Sequence, residues 1–336
     1  MAFEYIDIED SVYKATFVER AEQGYILVRP KDYSHVPVSL PGWEPEPTLL
    51  NEKYKALDEP IKNMTIYPDD VWLATYPKSG TTWCQEMIWL ICNDLNYTEA
   101  ANVKLVKRFP FLELSGIRPL PQDFNPFEDA QNLARPRFIK THLPVSMLPD
   151  QIWTIKPKLV YVRRNPKAVA PSYYHHSVSL HGYRGNLEQF VRSFINDLQY
   201  YSPYHRHVIE YNNLNYDNIL QLCYEDMKKD LAQTLRRVCQ FFGKSYTDQQ
   251  LQTLEQHLSF DSMKNNEAVN SRYWVEFNLK QTNRIDKVAD QDYQFIRRGE
   301  AAGWKRELSD ELIEGIDEWT RTKVTDPNQA KLFRYD

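Results

Sequence analysis

Residues Tyr76-Pro77-Lys78-Ser79-Gly80-Thr81-Thr82-Trp83 bring a lysine, a glycine and three aliphatic hydroxyls into one octapeptide. They lie between an apolar run, Val71 to Tyr76, that predicts a strand, and a stretch from Thr82 to about Leu95 that predicts a helix. A strand turning tightly into a helix leaves backbone N–H groups unpaired at the helix start and aims the positive end of the helix dipole at one point. Lys78 adds a full charge there, Gly80 lets a ligand approach the backbone, and Ser79, Thr81 and Thr82 add hydroxyls. The arrangement suits a phosphate or a similar anion. It is not a Walker loop, in which the lysine follows the last glycine just before the helix.

From Val71 onward, predicted strands and helices alternate, the pattern of a single α/β domain with a central parallel sheet flanked by helices. Arg137 to Thr141 predicts a short strand stopped before Pro144, and Leu159 to Arg164 a longer one. Asn165 and Pro166 then suit an N-cap and a first helical position. Ile219 to Tyr224 predicts another strand. Leu231, Leu235, Val238, Cys239 and Phe242 predict a helix ending at Gly243, and Thr247 with Gln250 opens a further one. Thr82 and Gln85 have the same capping-box spacing, and Trp83, Met87, Leu90, Ile91 and Leu95 approximate one apolar stripe. Ligands of such sheets bind beyond the carboxyl ends of the strands. Lys78, Lys140, Arg164 and Tyr224 all fall at or just beyond those ends, so they converge. Residues 1 to about 65, punctuated by Pro37, Pro41, Pro45, Pro47 and Pro60, predict irregular structure rather than long elements.

Five segments resemble, in order, the motifs of the cytosolic sulfotransferases. The octapeptide is similar to that family's 5′-phosphosulfate loop. Lys140-Thr141-His142-Leu143-Pro144 resembles its K-T-H-L-P segment, and Arg164-Asn165-Pro166-Lys167 through Ser172-Tyr173-Tyr174-His175 its 3′-phosphate strand and helix. Tyr224-Glu225-Asp226-Met227 resembles its Y-E-D strand end. Arg297-Arg298-Gly299 followed by Gly303-Trp304-Lys305 resembles its R-K-G-x-x-G-D-W-K loop. The resemblance spans roughly residues 70 to 306 and is greatest to insect members, among them a branch that dehydrates retinol through a transient sulfate ester.

The resemblance implies a single sulfotransferase domain over residues 1–336, with the proline-rich N-terminal segment covering the acceptor side. It implies 3′-phosphoadenosine 5′-phosphosulfate as donor and adenosine 3′,5′-bisphosphate as product, with fixed cations doing the work and no metal required. Lys78 to Thr82 would hold the 5′ end, and Arg164, Ser172, Arg297, Arg298 and the Gly299 backbone the 3′-phosphate, arginine suiting it by its planar fork. Trp83 and Phe260 would enclose adenine, with Tyr224 and Ser259 adding hydrogen bonds. His142 is the expected general base toward the acceptor hydroxyl. Lys78 and Lys140 would stabilise charge moving to the bridging oxygen. The family counterpart of Ser172 also restrains the loop lysine, and Phe111 matches an acceptor-pocket position. His175 and His176 are expected to line the acceptor side or pack, and Arg163 to be solvated or to pack.

Departures from the family pattern are Ala168 for Asp, Pro171 directly before Ser172, Leu258 for Thr and Gly303 for Asp. Pro171 removes a backbone bond and predicts a kink. Asp310 replaces Val in Lys305 to Glu314, which only partly fits the family's dimerisation segment, so at most a weak homodimer is expected. The acceptor is a small molecule, with phenols, steroids, monoamines and retinoids all open. Two other readings are a non-catalytic carrier on the same fold and, disfavoured by the loop order, a nucleotide kinase.

Composition agrees. A net charge of −5 at pH 7 offers no global electrostatic case for nucleic acid. The cysteines Cys84, Cys92, Cys223 and Cys239 lack metal-ligand spacing and suit a reduced, cytoplasmic setting. No apolar run approaches the roughly 18 residues of a membrane span, and the start Met1-Ala2-Phe3-Glu4 lacks the basic region of a signal peptide.

Overall fold

In the computed structural model, which describes residues 2–8, 24–118, 120–121, 123–281 and 294–335, two sheets form. Strands β1 (Phe3–Asp7), β2 (Tyr25–Pro30) and β3 (Thr48–Asn51) pair antiparallel in that order. Strands β4 (Val71–Thr75), β5 (Phe138–Thr141), β6 (Lys158–Arg163) and β7 (Ile219–Cys223) form a parallel sheet ordered β5-β4-β6-β7. A parallel sheet is covered on both faces, so its strands read as continuous apolar runs. Trp72, Ala74, Leu159 and Tyr161 accordingly pack into one core, while Val71, Leu73, Val160 and Val162 pack into the other. Because β4 lies between β5 and β6, the chain leaves its carboxyl end first to one side and then to the other. That reversal opens the crevice in which α/β sheets bind ligands.

The helices that matter here are α1 (Thr81–Cys92), α2 (Pro166–His181), α3 (Tyr204–Asn212), α4 (Leu231–Phe242), α5 (Asp248–His257), α6 (Arg272–Gln281) and α7 (Asp310–Lys323). As the sequence predicts, Asn165 caps α2 by accepting from Lys167 N at 2.9 Å, with Pro166 in its first turn. Gly243 ends α4 at φ +65°, and Thr247 with Gln250 forms a capping box on α5.

Four expectations change. Thr82 and Gln85 form no capping box: α1 starts at Thr81 after Gly80, with no side-chain cap, and Gln85 Nε2 donates to Phe109 O at 3.0 Å. The helix is also buried all round from Cys84 to Ile91 instead of along one stripe, because it is wedged beside the sheet, and Leu95 lies beyond its end. Pro171 does not interrupt α2, which continues to His181 and ends at Gly182 with φ +67°. Lastly, the segment before residue 65 carries the antiparallel sheet. Its prolines 37, 41, 45 and 47 fall in the connection between β2 and β3, while Ile26 and Val28 alternate into the core. Residues 9–23 of that segment lie outside the described ones. Among the described residues, no helix is long and apolar enough to cross a membrane.

Candidate active site

Beyond β4 the backbone reverses, with Lys78 at φ +68° and Gly80 at φ +96°. The left-handed region is uncommon for a lysine, so its surroundings must hold it there. Arg164 Nη1, at the end of β6, donates to the Lys78 carbonyl at 2.8 Å. The Arg164 guanidinium stands 4.1 Å from the Tyr224 ring centroid, and a Cβ on Gly80 would meet Tyr224 Cδ2 at 2.6 Å. The octapeptide and the ends of β6 and β7 are therefore fitted together, and glycine is required where they touch.

One cavity of about 320 Å³ opens over these strand ends. Its loop side is lined by Lys78, Gly80, Thr81, Thr82 and Trp83. Ser79 is buried beneath the loop, its hydroxyl without a hydrogen-bond partner among the described residues. Four cations bear on this region. Burial first, then Lys140, Arg164 and Arg297, lower the Lys78 pKa to about 7, an arrangement that an anion would relieve. Lys140, on β5, is pushed down to about 8 by burial, with Glu113 opposing.

On the Trp83 side of the cavity, the Trp83 indole donates to Leu258 O at 2.9 Å and meets the Tyr224 ring edge-on at 5.7 Å. The Leu258 side chain itself is buried and brings no hydroxyl to the cavity. Phe260 faces Gly299, whose φ is +63° and whose absent Cβ leaves room for that ring. Ser259 is not brought to the cavity: it is exposed, and its hydroxyl accepts from Ser262 N at 3.3 Å as a helix cap. Arg297 and Arg298 line the cavity through a shared anchor. Glu307 Oε1 lies 2.8 Å from Arg297 Nη2 and 3.0 Å from Arg298 Nη1, and Glu307 Oε2 lies 2.8 Å from His175 Nε2. Burial alone would raise the Glu307 pKa, yet His175 and Arg297 hold it down at about 2.

In the middle of the cavity stands His142. Its Nδ1 lies 2.7 Å from the Thr75 carbonyl, an acceptor only, so Nδ1 carries the hydrogen and Nε2 the lone pair. Its backbone is held as well: Glu113 Oε1 accepts from His142 N at 2.7 Å, and His207 Nε2, on α3, donates to His142 O at 3.0 Å. Burial first, and then Lys140, push the imidazole pKa well below its ordinary value, which keeps it neutral. Phe111 and Tyr201 flank the ring at 4.9 and 5.4 Å. Glu113 also accepts from Thr141 Oγ1 at 2.9 Å, and burial raises its pKa to about 7.

Ser172 lines the cavity, but among the described residues it makes no hydrogen bond to Lys78. Lys78 Nζ instead lies 3.4 Å from His176 Nδ1. Arg163 packs outside the site, donating to Leu332 O at 2.8 Å. His175 and His176 both line the cavity, and the residues that sequence reasoning passed over are Thr75, Glu113, His207 and Glu307. Glu113 carried a signal, a lone carboxylate between Leu112 and Leu114, while the others show no local pattern that marks them. The arrangement fits an anion at both ends. Arg164 Nε is buried without a partner among the described residues, and the glycines at 80 and 299 keep the cavity floor free of side chains.

The sulfotransferase domain model matches residues 68–328. A luciferin sulfotransferase of Photinus pyralis is 38% identical over 298 residues, 83% of this chain and 78% of its own. Sulfotransferase 1A1 of Mus musculus is 33% identical over 264 residues, 77% of this chain and 86% of its own. The crystal structure of retinol dehydratase in complex with androsterone and the inactive cofactor PAP matches with a TM-score of 0.80 at 28% identity, over 98% of this chain and 99% of that one. Matching motifs, sheet order and whole-chain similarity agree: this chain belongs to the sulfotransferase domain family.

Proposed function

We propose that the chain transfers the sulfuryl group of 3′-phosphoadenosine 5′-phosphosulfate to the hydroxyl of a small apolar acceptor, a phenol, steroid or retinoid, in the cytoplasm. The observation that carries this reading is His142 Nε2, an unprotonated base set in the same cavity as Lys78 and Lys140. His142 would take the acceptor's proton as the acceptor oxygen bonds to sulfur and the bond from sulfur to the bridging oxygen breaks. Lys78 and Lys140 would meet the negative charge left on the 5′-phosphate, an interaction that strengthens along the reaction coordinate. Arg164, Arg297 and Arg298 would hold the 3′-phosphate, while Trp83, Tyr224 and Phe260 enclose the adenine. The Phe111 ring, beside both His142 and the Lys140 ammonium at 4.2 Å, would form an acceptor wall. All four cysteines are free, which suits a reducing compartment.

Similarity to retinol dehydratase over nearly the whole chain favours a second outcome at the same site, sulfation followed by loss of the sulfate as a leaving group. Incubation with donor and retinol separates the two by product, a sulfate ester or a dehydrated hydrocarbon. The donor assignment is tested by calorimetric titration. Adenosine 3′,5′-bisphosphate is expected to bind at least tenfold more tightly than ADP, about the effect of one charged hydrogen bond. Equal affinities would remove the 3′-phosphate site from Arg164, Arg297 and Arg298.

A further inference from the structure

One helical turn beyond Ser172, α2 presents His176 to the loop lysine. Lys78 Nζ lies 3.4 Å from His176 Nδ1 and 4.7 Å from the centroid of the Phe295 ring. The Phe295 and His176 rings are themselves 5.8 Å apart, so the ammonium is held between an imidazole and an aromatic face. The remaining groups that bear on it, Lys140, Arg164 and Arg297, repel it. His176 in turn is faced by Lys78, His181, Lys140 and Arg118, the His181 ring at 5.1 Å. Burial first, and then the charges of Lys78, Lys140 and Arg118 with the neighbouring His181, keep its imidazole neutral, which leaves Nδ1 able to accept.

We propose that His176 is a positioning residue for Lys78, its Nδ1 accepting a hydrogen bond that holds the lysine ammonium in place while the donor is absent. The inference rests on reading Lys78 as the cation that meets the donor. In this chain the restraint comes from the residue four positions after Ser172, on the same face of the helix. A 3.4 Å bond to a neutral acceptor is long and readily exchanged. A charged donor oxygen makes a stronger, charge-assisted partner and would draw the ammonium away. His176 thereby keeps the charge aimed and protonated without competing with the donor.

The test is NMR titration of lysine-labelled, donor-free protein, with the Lys78 resonance assigned by its loss in Lys78→Ala. In His176→Phe, which fills the space without an acceptor, the Lys78 pKa is expected to fall by about one unit. In His176→Asn, whose carbonyl stands close to the Nδ1 position, most of that shift should be restored. In the unmutated protein, the His176 Nδ1 nitrogen resonance should move with the Lys78 midpoint, a readout that needs no variant to fold. A Lys78 pKa unchanged in His176→Phe, or an Nδ1 resonance indifferent to Lys78, overturns the proposal. If the titrations behave as expected in a protein that transfers no sulfate, the contact stands and the proposed function falls instead.

Discussion

His142 and Lys78 owe their lowered pKa values first to burial and then to Lys140, which bears on both. Burial and Lys140 keep the His142 imidazole neutral, and Thr75 fixes which nitrogen is free. In the proposed mechanism this base would act on the acceptor proton and touch no part of the nucleotide. His142→Ala is therefore expected to lower turnover by about 10²- to 10⁴-fold, with adenosine 3′,5′-bisphosphate affinity unchanged by calorimetry. Near-normal turnover would take His142 out of the mechanism. For Lys78, the pKa of about 7 makes a pH prediction with a definite sign. The donor-free lysine is charged below that value and loses its charge above it. Since kcat/KM reports the free enzyme, donor kcat/KM should fall as pH rises through 7, on a constant acceptor. At saturating donor, whose charge returns the proton to Lys78, kcat should fall less. A kcat/KM that stays level from pH 6 to 9 would show that Lys78 keeps its proton throughout.

At the scale of elements, the strand–loop–helix depends on one residue that cannot carry a side chain. Gly80→Ala must place a Cβ at φ +96° and 2.6 Å from Tyr224 Cδ2. Left-handed strain at a non-glycine costs of order 1–3 kcal/mol, and the Tyr224 ring has to move as well. The variant should unfold at lower denaturant and bind adenosine 3′,5′-bisphosphate more weakly, and wild-type values for both would show that the loop relaxes freely. The elements were largely legible because spacing along the chain dictates them. Asn165-Pro166 could only open a helix comfortably, and Gly243 could readily end one. The misreadings came from packing. Gln85 has the spacing of a capping partner, but a buried amide goes where a carbonyl needs it, here Phe109. Pro171 removes one backbone bond, yet it is buried within α2 and the helix runs on through it to His181.

For the molecule as a whole, buried histidines and buried carboxylates pull the acid side of stability in opposite directions. His205 is buried beneath α7, its Nε2 3.0 Å from Thr320 Oγ1 and its ring 4.1 Å from the Trp319 ring. Burial lowers the pKa of His205 to about 3 and that of His207 to about 4. Below the ordinary value of about 6.5 the unfolded chain takes up these protons and the folded chain does not, so their contribution is complete above 6.5 and is lost as pH falls. Glu113 and Glu210, both raised to about 7 by burial, act in the opposite sense between about 4.5 and 7. His205→Gln should therefore narrow the stability gap between pH 7 and pH 5 by about 1–2 kcal/mol in denaturant titrations. An unchanged gap would show that the folded protein accepts the proton on His205.

By itself the sequence determined what contiguous spacing can encode: the anion loop, the alternation of strands and helices, the convergence of Lys78, Lys140, Arg164 and Tyr224, and the family. Tertiary structure alone decided which distant groups complete the site. His175 reaches Glu307 across 132 residues, Lys78 reaches His176 across 98, and His207 reaches His142 across 65. Ser259, by contrast, stands between Leu258 and Phe260 in sequence, yet it is exposed and does not line the cavity that they do. The reason is physical. Local spacing is governed by backbone geometry within a turn or two, whereas the partner of a buried charge is whatever the packing of remote elements brings within hydrogen-bond reach.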